Sequence, residues 1–162
     1  MSSIQLLTTD LIQSVITKAK TSPRLRANHN FHATAEDNPH RFLNVLTFGT
    51  YIAPHRHKAP PKAESFIVLE GEIAFFIFDD GGKIEQTIRL GPAHPARGID
   101  LAPGLWHTLI ALSPHAVCYE VKPGPYDAAT DKEFAPWAPQ EGDPTVPAYL
   151  ETLLSSAKNG HA

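Results

Sequence analysis

The apolar positions of this chain fall into three regimes. Between residues 9 and 20, Leu11, Ile12, Val15, Ile16 and Ala19 recur at the three- and four-residue spacing of one helix face, after the cap candidates Thr8, Thr9 and Asp10 and ahead of Pro23. The spacing predicts an amphipathic helix over 9–20 whose apolar stripe packs against a sheet. From about 42 to 122 the helical period disappears. FLNVLTF, SFIVL, IAFFIF, KIEQTIRL, IDLA, HTLIAL and AVCYEV are each of strand length and are separated by turn signals, the strongest being Asp79-Asp80-Gly81-Gly82. So many closely spaced strands predict a mainly β fold, a sandwich or a barrel. The run Phe75 to Phe78 is apolar on both faces, so it needs cover outside as well as inside, from a terminal helix or from a second subunit in a homodimer.

Beyond Lys122 the β pattern stops. Residues 123–146 are rich in proline and carry aromatic anchors at Tyr126, Phe134 and Trp137, which predicts a strap lying on the barrel. Helical spacing returns over 147–158 through Tyr149, Leu150, Leu153, Leu154 and Ala157, with Pro147 in the first turn and Asn159-Gly160 as the stop. The segment 24–41 has no clear period and holds Arg24, Arg26, His29, His32, His40 and Arg41 among asparagines. Two readings stay open for it. It is a solvated connection, or it is a clamp in which Arg24, Arg26 and Arg41, with His32, grip an anionic or hydroxylated ligand, because guanidinium groups bind carboxylate and phosphate in a two-pronged fashion.

Composition narrows the partners. A chain of 162 residues, 42% hydrophobic and 19% charged, fits one domain over 1–162 with a substantial core. The formal charge of -3, with no block of like charges, leaves no footprint for nucleic acid or an anionic membrane, so a small-molecule ligand is the expected partner. Cys118, the single cysteine, excludes an intrachain disulfide and sits in an apolar run where a buried thiol is expected. The first twenty residues do not read as a basic region followed by a long apolar core, and no later window is apolar over 18 residues; with the cysteine usage this predicts a cytoplasmic protein.

The chemistry gathers between Gly49 and Gly71. His55 and His57 stand two apart, and on a strand residues i and i+2 share a face, so both rings can aim at one point while Arg56 points away. Glu64 follows after the turn KAPPKA, which can bring the chain back beside the preceding strand. His107 lies just after Pro103-Gly104, in phase with Leu109 and Ala111 on the strand HTLIAL. Three imidazoles and one carboxylate suit one divalent metal ion with positions left open, and Fe, Mn, Zn and Ni all fit such a set. Glu120 and Lys122 lie two apart at the end of the last strand: either they form a surface pair, or Val117, Tyr119 and Val121 pack outward and the two project into the barrel as acid and base candidates, with Tyr126 closing the mouth. The histidines outside the metal set read as surface residues, with His32 the one placed to touch a ligand. There is no G-x-G-x-x-G, P-loop, nucleophile elbow or cysteine pair for a structural metal.

Gly49, five residues, His55-Arg56-His57, a spacer, Glu64, six residues and Gly71 resemble the first cupin motif, and Pro103-Gly104-Leu105-Trp106-His107 resembles the second. Two departures stand out. Six residues separate His57 from Glu64 where the general motif has three or four, and Ala111 stands where the second motif ends in asparagine. The whole chain further resembles the WbuC family of cupin-fold metalloproteins, in SPRLRAN at 22–28, RFLNVL at 41–46, ESFIVLEG, FDDGG, PGLWHT and the tail EVKPGPYDAATDKEFAPWAPQEG. That resemblance implies a cupin-type jelly-roll barrel flanked by an N-terminal and a C-terminal α-helix, with His55, His57, Glu64 and His107 as metal ligands and an association with surface-polysaccharide gene clusters. The functional expectation is a metal-dependent enzyme on a small carbohydrate-derived or other oxygen-rich substrate, of isomerase or epimerase type. Catalysis would fall to Lys122, Glu120 and Tyr126. An iron-dependent dioxygenase, a non-catalytic metal-dependent binding or regulatory module, and a metal that only braces the barrel are the alternatives.

Overall fold

The structure, a computed structural model, describes residues 4–159; the stop residue Gly160 and His161 lie outside the described residues. Helix α1 (Thr9–Thr21) is followed by β1 (Arg26–Asn30), β2 (His40–Thr47), β3 (His55–Arg56), β4 (Glu64–Glu70), β5 (Ile73–Phe78), β6 (Ile84–Leu90), β7 (Gly98–Leu101), β8 (Trp106–Ala111), β9 (His115–Lys122), β10 (Glu133–Phe134) and helix α2 (Val146–Asn159). The strands form two five-stranded antiparallel sheets, ordered β1-β2-β9-β4-β7 and β10-β3-β8-β5-β6. Facing sheets with chain crossing between them make the jelly roll that the strand pattern predicts.

Helix α1 starts where expected: the Leu11 N–H donates to Thr8 Oγ1 at 3.2 Å, which makes Thr8 the cap. Its stripe, Ile12, Val15, Ile16 and Ala19, packs on Leu43, Val45 and Val117, the outward residues of β2 and β9. Between the sheets, Phe66, Val68, Ile73, Phe75, Leu90 and Leu109 fill one end of the barrel. The outer face of β5 and β8, with Ala74, Phe76, Phe78 and Ile110, is covered by Leu153 and Ala157 of α2 and by Ala135 and Ala138 of the strap. The terminal helix thus supplies the cover that the doubly apolar strand requires. Full burial of aliphatic side chains of this kind stabilises by about 1.5–3 kcal/mol each.

Turn chemistry agrees with the sequence. Asp79 Oδ1 accepts from the N–H groups of Gly81 and Lys83 in the β5–β6 hairpin. Gly82 has φ +89°, and a Cβ there would lie 2.6 Å from the Trp137 ring, so the hairpin needs glycine both for its backbone and for the strap that crosses it.

Three expectations change. The polar segment 24–41 contains β1, so the sheets begin at Arg26 rather than near 42. Its alternation was hard to see because Arg26, Asn28 and Asn30 line an open cavity, while only Ala27 of the opposite face joins the packing under α1. The strap is not wholly irregular, since β10 pairs Phe134 with His55. Finally, KAPPKA does not return the chain beside β3: it carries it to the facing sheet, where β4 pairs with β7 and β9.

Candidate metal centre and cavity

His55 stands on β3 opposite His107 of β8, and His57 follows at the strand's end, so one sheet presents all three rings. Glu64 opens β4 on the other sheet and reaches them from across the barrel. The long spacer is compatible with this crossing. Glu64 Oε1 lies 3.1 Å from His57 Nε2, and Oε2 lies 3.0 Å from His107 Nε2. One ligand atom from each of the four buried residues falls within 4.8 Å of the others. Arg56 points away, as alternation predicts, onto Glu133 and the Trp106 ring.

The second ring nitrogens decide the tautomers. His55 Nδ1 lies 3.0 Å from the Ala53 carbonyl, His107 Nδ1 lies 2.9 Å from that of Leu105, and His57 Nδ1 meets the Asp131 carbonyl. A carbonyl only accepts, so each Nδ1 carries the hydrogen and each Nε2 presents a lone pair. His57 Nε2, His107 Nε2 and Glu64 Oε2 are buried without a hydrogen-bond partner. Acceptors facing acceptors at 3.0–3.1 Å repel unless a cation lies between them. The donor set and its main-chain bracing would suit a divalent metal ion. Burial, reinforced by Lys132 and His107, holds His55 well below its usual range and so keeps its lone pair available.

The cluster opens through His55, Glu64 and His107 onto a cavity of about 500 Å³. Glu120 and Lys122 are buried and line it, while Val117 packs outward under α1, so the inward of the two sequence readings describes their placement. Asn44 donates through Nδ2 to Glu120 Oε2 at 2.9 Å. Burial, with the neighbouring charge of Glu64, pushes Glu120 up to about 7. Lys122 Nζ donates to Asp131 Oδ2 at 3.0 Å; burial disfavours its charge, but Glu120, Glu64 and Asp131 prevail and raise it. Tyr126 lies exposed at the mouth.

Arg24, Arg26 and His32 also line the cavity, but Arg41 does not: its Nε donates to the Pro39 carbonyl at 3.3 Å on the other face of β2. Arg24 and Arg26 are both held by Glu141, so neither guanidinium is free as drawn from sequence. His40, expected at the surface, is buried and stacks on His32 with ring centroids 4.0 Å apart.

Sequence reasoning missed Lys62, Asp131, Lys132, Asn44 and Glu141. Lys62 Nζ donates to Asp131 Oδ1 at 2.8 Å, so one buried carboxylate joins the spacer, the end of β9 and, through its own carbonyl, His57. The signal that could have found Lys62 was the extra length of its loop. Nothing local marked Asp131 or Lys132, which sit in the strap among residues legible only as aromatic anchors.

Residues 7–90, just over half of the chain, match the model of DUF6016, a domain of unknown function. The chain belongs to this family. No curated protein sequence matches this DUF6016 member. Among solved structures it is similar to the capsular polysaccharide assembling protein CapF from Staphylococcus aureus, with TM-score 0.58 and 19% identity over 70% of this chain and 30% of that one. It is also similar to oxalate oxidase in complex with the substrate analogue glycolate, with TM-score 0.54 and 17% identity over 88% of this chain and 77% of that one. Lactobacillus farciminis oxalate decarboxylase in its formate complex matches with TM-score 0.50 and 17% identity over 67% of this chain and 31% of that one. The chain thus spans about a third of CapF. At such identities the likeness shows the fold, and the fold is that of the cupins. No helix among the described residues is long and apolar enough to cross a membrane.

Proposed function

We propose that this DUF6016 protein is a metal-dependent cupin enzyme that rearranges a small, oxygen-rich, carbohydrate-derived molecule by isomerase- or epimerase-type proton transfer, in the assembly of surface polysaccharide. The observation that carries the reading is the convergence of buried, partnerless acceptors on His57, His107 and Glu64, with His55 beside them, at the floor of an open polar cavity. A divalent ion held there by the four side chains supplies Lewis acidity to a ligand oxygen. The protein's own residues provide the rest. Glu120, which burial and the Glu64 charge push up to about 7 in the metal-free protein, is the buried carboxyl placed to take or return a proton. Lys122, kept charged by Asp131, orients a ligand oxygen, and Tyr126 stands where it can close the mouth. The WbuC-like segments and the likeness to a capsular polysaccharide assembling protein support the surface-polysaccharide setting.

The test is metal analysis of protein purified without added metal, beside His57→Ala, followed by a panel of sugar nucleotides, free sugars and sugar acids assayed for turnover. Stoichiometric metal in wild type, its loss with fold retained in His57→Ala, and turnover that follows metal content are the expected results. Wild-type metal content in His57→Ala would refute the site. Binding without turnover across the panel would replace the enzyme by a binding module.

A further inference from the structure

One wall of the cavity is not used by the chemistry proposed above. Arg26, Asn28 and Asn30 alternate along β1 and all face the cavity, and Asn44 on β2 stands opposite Asn28. Among the described residues the Asn28 and Asn30 side chains make no hydrogen bond, and Asn44, only 9% exposed, leaves its Oδ1 without a partner. A carboxamide offers donor and acceptor side by side, which matches a hydroxyl, itself donor and acceptor. Three such amides on one wall suit a ligand with several hydroxyls.

The charges specify more. Lys122 is tied to Asp131, and Arg24 and Arg26 are tied to Glu141. Lys132 lines the same cavity with no carboxylate within ion-pair distance and no side-chain hydrogen bond among the described residues. These four cations, with Lys62 on Asp131, face four carboxylates, Glu64, Glu120, Asp131 and Glu141, and Glu120 is only partly ionised near neutral pH, so a divalent ion leaves the cavity with a positive excess. Both guanidinium forks that could grip a phosphate dianion in two-pronged fashion are occupied by Glu141, which leaves Lys132 as the one unpaired cation among the described lining residues. A lone ammonium fits a single negative charge.

We infer that the ligand is a polyhydroxylated carboxylic acid of the sugar-acid class, its carboxylate met by Lys132 and its hydroxyls by Asn28, Asn30 and Asn44. The inference rests on the metal-dependent reading above. It is tested by calorimetric titration of the metal-loaded full chain with D-glucuronate, D-glucose and glucose 1-phosphate, with metal content measured in every preparation. Glucuronate binds at least about tenfold more tightly than glucose, and Lys132→Gln brings the two within about twofold while Lys132→Arg keeps the preference. Asn28→Ala with Asn30→Ala weakens both sugars alike. Equal affinity for glucose and glucuronate, tighter binding of glucose 1-phosphate, or an undiminished preference in Lys132→Gln overturns the inference. Wild type without metal would sink the underlying reading and this one with it; full metal content without acid preference would sink this one alone.

Discussion

Asp131 shows how much one side chain can hold. It is 2% exposed and pairs with both Lys62 and Lys122, so Asp131→Ala strips buried Lys62 of its carboxylate and leaves buried Lys122 only Glu64, at 3.8 Å. Breaking a buried pair in this way costs about 3–5 kcal/mol, and urea unfolding of Asp131→Ala should show a loss of that order. Glu120 makes a prediction of opposite character. Its folded-state pKa of about 7 lies above the ordinary 4.5, so between those values the folded protein keeps a proton that the unfolded chain has released. Stability of the metal-free protein therefore falls as pH rises through that window. The difference between wild type and Glu120→Gln, followed by unfolding at pH 5, 6, 7 and 8, isolates this carboxyl: wild type loses ground to the variant as pH rises, and a constant difference contradicts the assignment. Neither role could be read locally. Glu120 was ambiguous between surface and interior until Val117 was seen under α1, and Asp131 lay in a segment without period.

At the scale of elements, the two terminal helices and the strap are what cover the outer faces of strands that are apolar on both sides. Leu153 of α2 is 1% exposed on the outer face of β5 and β8. Leu153→Ala should lower the unfolding free energy by about 2–5 kcal/mol in urea, through lost transfer energy and the cavity left behind, while metal content stays at the wild-type level. The helices, the β5–β6 hairpin and the inward phase of His107 were legible because each rests on residues within a few positions of one another. The strand β1 was not, because its inward face is a cavity wall and carries Arg26, Asn28 and Asn30 where a core strand would carry aliphatics. The spacer KAPPKA was legible only as an oddity of length. In the structure it is the crossing between sheets, and it delivers Lys62 to Asp131 on the way.

For the molecule as a whole, metal and fold should be linked. An ion that binds the folded state and not the unfolded one stabilises it by about 2.7 kcal/mol at one hundred times its dissociation constant. For a chain of this size that raises the melting temperature by about 5–10 °C. Thermal unfolding with added divalent metal, and again after chelation, checks this, and His57→Ala should abolish the shift. What the sequence by itself determined was the mainly β class, the two flanking helices and the four residues that gather in the candidate metal centre. Periodicity, turn chemistry and ligand spacing are local properties, written in neighbours along the chain. What only the tertiary structure decided was which of the polar residues meet. The placement of Glu64 across from three imidazoles, the pairing of Arg24 and Arg26 with Glu141, the turning away of Arg41 and the buried bridge through Asp131 all depend on sheet order and on contacts between residues dozens of positions apart. The physical reason is that a side chain's charge and partners are set by what packing brings against it, and that is a property of the closed barrel.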